Sequence, residues 1–351
     1  MGVDSAEARS ALPRPRGRAA PRLRGTDYLK ARTRIEMELD NVRAALAWSL
    51  SDVGSDDRGD IQLGFRLCQE MSWFWYACGY PDEGRRWLEQ AIRRFKGDEP
   101  EESAVLHGLA IILLQEGEVV TAQQLLNRCL EYWRGEGNEA QIAKELNSLG
   151  ISYRHTGDWH KARELFDEGL AVAEHSGDKS RFATILSNRA ILETDVGEPT
   201  VAIPLLDRAV AIDRHLGDSW AEACDRVNLA AARLLAGEPE RADQELGGVA
   251  QSALAVNDID LTINLIELLA MVRAEVGDVS TSARLSGTAD TLREQANLPR
   301  PPPDATHLSH SLAKSRQAVE EKAWSGYVTE GRAMSPEDAI AEGTRSRPDL
   351  P

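Results

Sequence analysis

Lys144, Asn147 and Arg154 follow one another at steps of 3 and 7, a spacing that brings all three out of a common face if the stretch is helical. Arg154 can grip a carboxylate with two parallel hydrogen bonds, and Lys144 supplies a point charge. Asn147 can both donate to and accept from a peptide backbone. That is the chemistry of recognition, and the groups that bond-making would need do not converge. His155 and His160 straddle a Gly157-Asp158 pair instead of standing four apart on one helix, and no H-E-x-x-H run occurs. His175 and His215 each precede a Gly-Asp pair, where a cation complements the end of a helix dipole. No Ser or Cys stands in a nucleophile-elbow sequence. Paired acids such as Glu101-Glu102 and Glu320-Glu321 read as solvated helix faces. A phosphate cradle, G-x-x-x-x-G-K-[ST], is absent. The chain reads as non-enzymatic and in need of no cofactor. Its partner is expected to be a protein or peptide, or else a small effector.

The elements that position these side chains are marked by a ruler. Gly97-Asp98, Gly117-Glu118, Gly137-Asn138, Gly157-Asp158, Gly177-Asp178, Gly197-Glu198, Gly217-Asp218, Gly237-Glu238, Asn257-Asp258 and Gly277-Asp278 stand 20 residues apart. Glycine closes one helix in the left-handed conformation, and an acidic neighbour can cap the next. Two such corners make a helical hairpin, so the period is 40. A fixed period of this size marks a helical solenoid. Small residues keep the same step: Ala110, Gly150, Ala190, Ala230 and Ala270 in the first helix, and Ala122, Ala162, Ala202, Ala242 and Ser282 in the second. Both columns belong where paired helices approach closely.

Leu149-Gly150, Tyr153, Gly157, Ala162 and Phe166 resemble the tetratricopeptide pattern L-G-x-x-Y-x-x-x-G-x-x-x-x-A-x-x-x-F. The likeness is best in this hairpin. Elsewhere the place of Tyr153 is taken by Leu113, Glu193, Arg233 and Arg273, and the period exceeds the family's usual ~34 residues. The expected fold is all-α: a right-handed α-solenoid of about six tetratricopeptide-like helical hairpins with a C-terminal helical cap. In the resembled repeats the first helix of each hairpin lines the concave face. The resemblance therefore implies a partner-binding groove made of Lys144, Asn147, Arg154 and His155, extended by His107, Ser187, Asp195, Asn264 and Glu267. Such a groove has a basic middle and an acidic end, which suits an extended peptide.

A second resemblance lies nearer the N-terminus. Glu38, Asp40, Asn41, Arg43, Ala44, Ala45, Leu46 and Trp48, then Phe74, Trp75, Gly79, Glu83, Gly84, Arg85, Trp87 and Leu88, look like the opening of the helical-repeat arm in bacterial regulators of the STAND ATPase class, including LuxR-type and winged-helix-fused members. ARLSGTADTLREQANLPRPPP and GYVTEGRAMSPEDAIAEG resemble the closing segment of those arms. The likeness spans residues 28–342 but brings neither a P-loop nor a helix-turn-helix. It implies the sensor or interaction arm of a bacterial regulatory system. The alternatives are a remnant or separate subunit of a STAND-type regulator acting with a P-loop partner, and a stand-alone assembly adaptor.

Composition narrows the rest. The 351 residues carry a formal net charge of −16, which disfavours a general nucleic-acid surface, so no direct DNA binding is expected. The longest apolar run, around Leu109 to Leu114, is too short to cross a bilayer, and no secretion signal follows Met1, so no membrane is involved and a cytoplasmic location is expected. Cys68, Cys78, Cys129 and Cys224 lack C-x-x-C spacing and read as reduced thiols. Residues 1–26, with six arginines among Pro, Ala and Gly, read as a disordered basic leader. The solenoid is expected over 27–297, a Pro-rich link over 298–304, the cap over 305–342 and a disordered tail over 343–351. Trp73, Phe74 and Trp75 read as a packing cluster, with a ligand platform as the other possibility.

Overall fold

Gly137 shows how the ruler is written into the backbone. Its φ of 65° is left-handed, and its N–H bonds the carbonyl of Arg134 at 3.3 Å while the next N–H reaches Trp133 at 3.1 Å. Asn138 then opens the following helix, its side-chain oxygen accepting the Gln141 N–H at 3.2 Å. Asp178, Asp218 and Asp258 cap in the same way. Glu118 and Glu198 stand at the same position without a side-chain cap, so the acidic half of the corner acts only where the side chain is short. Gly79, Gly117, Gly157, Gly177, Gly197, Gly217, Gly237 and Gly277 also have positive φ.

The computed structural model describes residues 28–50, 58–94, 100–256, 258–296, 298, 300 and 302–345. The basic leader, the corners at Gly97 and Asn257, and the tail beyond Arg345 lie outside them. Among the described residues there are sixteen helices and no strand, and the chain divides into two compact units at Asp158.

The first unit holds α1 (Tyr28–Leu50), α2 (Arg58–Ala77), α3 (Pro81–Arg94), α4 (Pro100–Gln115), α5 (Val119–Glu136) and α6 (Glu139–His155). Consecutive helices pack on one another, and α4 also packs on α2. Leu46, Leu50, Phe65, Phe74, Trp75, Leu88 and Ile112 are fully buried between them. A Cβ on Gly84 would stand 2.6 Å from Trp75 and 2.7 Å from Ile112, so this position is small because helices touch there. The aromatic run is packing: Phe74 stacks on Tyr80 with centroids 5.2 Å apart, and Trp73 alone keeps an exposed edge.

The second unit holds α7 (Trp159–Ser176), α8 (Lys179–Val196), α9 (Pro199–Leu216), α10 (Ser219–Leu235), α11 (Pro239–Val256), α12 (Ile259–Glu275) and α13 (Val279–Ala296). Ala162, Ala190, Ala202, Ala242, Ala270 and Ser282 have no exposed surface, as their columns require. The cap is made of α14 (Pro302–Gln317), α15 (Glu321–Gly331) and α16 (Pro336–Gly343), so it begins three residues before the expected boundary at 305. Leu312 lies on α14 and Trp324 on α15. Backbone meets backbone where α15 crosses α13. A Cβ on Gly287 would stand 2.3 Å from the carbonyl oxygen of Val328, and Thr288 Oγ1 donates to the Gly331 carbonyl at 2.8 Å. Ser335 caps α16 by accepting the Asp338 N–H at 3.1 Å.

No described helix is long and apolar enough to cross a membrane. Cys68, Cys78 and Cys129 are buried free thiols, and burial pushes the Cys68 thiol up to about 12.

Candidate partner-binding cleft

In each hairpin of the second unit the first helix is the more buried one, because it touches the first helices beside it as well as its own partner. α8, α10 and α12 therefore lie side by side, and one face of this row is left open. There it forms a cleft of about 140 Å³, closed at one end by α14. Val227, Ala231 and Leu235 of α10 make its floor, and Ile191 of α8 and Met271 of α12 its walls. α14 adds His307 and Leu308.

Polar groups are few and placed apart. Asp195 and Thr194 come from the end of α8, Asn228 from α10, and Asn264 and Glu267 from α12. Glu267 is largely buried and neutralised from within. Arg293 of α13 forks onto its two oxygens at 2.6 and 2.9 Å, and Arg300 adds bonds of 2.9 and 2.7 Å to Oε1. Arg293 also donates to the side-chain oxygen of Asn264 at 3.0 Å, which fixes that amide with its NH2 group as the remaining donor. The paired arginines offset the cost of desolvating this carboxylate, and so paired it lends the cleft no bare charge.

Asp195, Asn264 and Glu267 are thus the three anticipated groove residues that meet in one place, and the expected availability of Glu267 is corrected by its two arginines. Ser187 points elsewhere. Its hydroxyl donates to Asp225 of α10 at 2.5 Å, and Asp225 is in turn joined to Asp213 of α9. Burial raises both carboxyls well above the usual range, and the hydrogen bond from Ser187 to Asp225 only partly opposes this. The first unit repeats the device: His107 Nδ1 lies 2.7 Å from Glu145 Oε2, again 38 residues further on. Ser187 and His107 are therefore polar rungs between successive first helices.

The remaining four residues lie on α6 in the first unit. Lys144 is partly exposed, its Nζ 3.9 Å from Glu145. Asn147 is buried, contrary to the expectation of an open groove position. Arg154 is half-buried, and His155 is exposed at the helix end. Although part of the His155 side chain meets solvent, the groups packed around its ring partly desolvate it and, with Arg154 beside it, lower its basicity.

Sequence reasoning missed Asn228 and His307. Asn228 could have been flagged as the one amide in the apolar run V-N-L-A-A-A. His307 gave no signal, because where the cap docks depends on tertiary packing. Among the described residues no three His, Cys, Asp or Glu side chains are placed to hold a metal ion.

Residues 146–176 match the tetratricopeptide repeat family. No match was found among curated proteins. Solved structures that align over most of the chain include three of similar fold. A STAND protein with a tetratricopeptide repeat sensor from Pyrococcus horikoshii is 17% identical with a TM-score of 0.59, over 86% of this chain and 46% of that one. A Rap protein complexed with competence and sporulation factor is 12% identical with a TM-score of 0.60, over 86% of this chain and 84% of that one. The Rap conjugation gene regulator of plasmid pLS20, in complex with the Phr* peptide, is 13% identical with a TM-score of 0.54, over 83% of this chain and 90% of that one. At these identities the likeness concerns the fold, and the fold is an all-α tetratricopeptide-type repeat.

Proposed function

We propose that this chain is a non-enzymatic binding scaffold whose cleft between α8, α10 and α12 takes a peptide or a short segment of a protein partner. The cleft carries the proposal. An apolar floor is bordered by two amides, Asn228 and Asn264, on successive first helices. Neither amide nitrogen has a hydrogen-bond partner among the described residues, and an extended backbone needs such donors at intervals. Size selects between ligand classes. About 140 Å³ admits a side chain or two, whereas pockets for drug-sized molecules run to about 300–1,000 Å³. Of two proteins of similar fold, one complexed with competence and sporulation factor and one with the Phr* peptide, the second agrees with this choice.

The finer setting is a regulatory one: the sensor arm of a bacterial system, working in the cytoplasm, without direct DNA contact. Support comes from the STAND-like wording at Asp40 to Trp48 and Glu83 to Leu88, and from the fold of the STAND sensor. Selection from a displayed peptide library against the full chain tests the binding proposal. Selected peptides should lose at least about tenfold in affinity, ~1.4 kcal/mol, in the Asn228→Ala/Asn264→Ala double variant. Undiminished binding would place the site elsewhere.

A second reading, that the chain acts with a separately encoded P-loop protein, rests on the same STAND likeness. Co-purification with the product of a neighbouring reading frame carrying G-x-x-x-x-G-K-[ST] supports it, and ATP-independent action of the isolated chain opposes it.

A further inference from the structure

Glu267 receives more cation than it needs. Arg293, on the second helix of the same hairpin, already satisfies both carboxylate oxygens. Arg300 lies beyond that hairpin, yet it doubles up on Oε1 and also reaches Asp290 at 2.9 Å. Removing Arg300 would leave the Glu267–Arg293 fork whole but strip Asp290 of this partner.

Just beyond Arg300, α14 lays His307 and Leu308 against the cleft, with Leu308 buried. The opposite flank of α14 is poorly filled. A groove of about 420 Å³, partly open to solvent, runs between it and α13 and α15; Asp290, Arg300, Leu308 and Leu312 line it, so Arg300 bonds Glu267 from this side and not from within the cleft. Along that groove α14 has few facing side chains, and such facing contacts normally fix a helix. Leu308, the partly buried Leu312, the buried Ser315 and the bonds of Arg300 are among the groups that hold α14 in place.

We infer that Arg300 and α14 are a tethered occupant of the partner site, and that the partner segment displaces them with the same chemistry: a guanidinium for Glu267 and Asp290, and an aliphatic side chain for the place of Leu308. This rests on the cleft being the partner site. Arginine is favoured over lysine because Nε and one outer nitrogen of a single planar group supply the three bonds to Glu267 and Asp290, an orientation that a freely rotating ammonium does not fix. The tether keeps its occupant at a high effective concentration, so the intact chain binds any free segment weakly until the latch is released.

The test uses the full chain, its Arg300→Ala and Leu308→Ala variants, and a labelled synthetic peptide of this chain's own residues 296–310, ANLPRPPPDATHLSH. Amide exchange in α14 should rise at least about tenfold in both variants, while α10 and α12 keep their protection. In fluorescence anisotropy the peptide should bind Arg300→Ala at least about tenfold tighter than the unaltered chain, and a peptide with alanine for arginine should not bind. Unchanged α14 exchange in both variants overturns the inference. So does equal binding of the two peptides, or equal affinity for the unaltered chain and Arg300→Ala. Arg300→Ala retains the Glu267–Arg293 pair and should fold, and Leu308→Ala loosens α14 without touching that pair. The two readings fail differently. A cleft that is not the partner site shows up as library peptides indifferent to Asn264→Ala. A false latch shows up as unmoved α14 exchange while those peptides still depend on Asn264.

Discussion

Arg43 Nε and an outer guanidinium nitrogen reach the two carboxylate oxygens of Glu83 at 2.8 Å each, although 40 residues separate them. Trp87 adds a third donor to the same carboxylate at 3.3 Å. Residues that carry the likeness to STAND arms are therefore a clamp between α1 and α3, and their role here is to hold the first helix onto the stack.

Cutting that clamp should destabilise the first unit. Hydrogen bonds to charged groups contribute about 1.5–3 kcal/mol. The Arg43 side chain is 41% exposed and solvent screens it, so Arg43→Ala is expected to cost only about 1 kcal/mol. The Arg43 hydrogen bonds hold the Glu83 carboxyl below its usual range. A lowered folded-state pKa gives stability above the unfolded value that is lost as pH falls. The gap between Arg43→Ala and the unaltered chain, read as urea midpoints, should narrow from pH 7 towards pH 3. A gap that stays constant would mean the pair is not what was lost.

Asp225 and Asp213 should act with the opposite sign. Burial raises both carboxyls, so the folded state holds a proton that the unfolded chain releases near pH 4. Stability from this pair is present in full at low pH and is lost as pH rises through neutrality. Asp218 and Glu222 add to the effect on Asp213. Asp225→Asn keeps a neutral partner for Ser187 and should flatten the decline in urea midpoint between pH 5 and pH 8. An equally steep decline in the variant would contradict the shared proton.

The cap can be tested at two glycines of one helix. A Cβ at Gly331 would meet the backbone of Arg284 at 1.9 Å, whereas one at Gly326 meets nothing within 4 Å. Gly331→Ala should destabilise by about 1–3 kcal/mol through overpacking. Gly326→Ala should stabilise by about 0.5–1 kcal/mol, because a helical alanine loses less backbone entropy. Thermal melts of the two variants decide it, and shifts of equal sign would remove the crossing.

Much of this fold was legible because its corners are chemical. Glycine at 117, 137 and 217 fixes helix ends whatever packs around them, and alanine at 162, 202 and 242 marks contact faces independently of helix propensity. The site was less legible, since facing inward along a first helix does not distinguish a groove residue from a rung. Ser187 and His107 have the right position, but what they face, Asp225 and Glu145, lies 38 residues on and is known only once the helices stack. The pairing of Glu267 was illegible for a similar reason, as its second arginine comes from beyond the last hairpin.

The small columns predict one further result. Ala162 has no exposed surface, and Ala162→Leu should cost about 1–3 kcal/mol by forcing extra methylenes into a closed contact. Lys179 is exposed at the start of α8, and Lys179→Leu should stay within about 0.5 kcal/mol. Equal urea midpoints for the two variants would contradict the register of the repeats.

The central claim is that a partner is held by the open face of the first helices in the second unit. Amide-exchange footprinting of the full chain, with and without a saturating library-selected peptide, tests it most directly. The expected result is added protection on α8 around Thr194, on α10 around Asn228 and on α12 between Asn264 and Met271, with α11 unchanged. Protection confined to α9 and α11, the second helices, would contradict the account and put the partner on the opposite face.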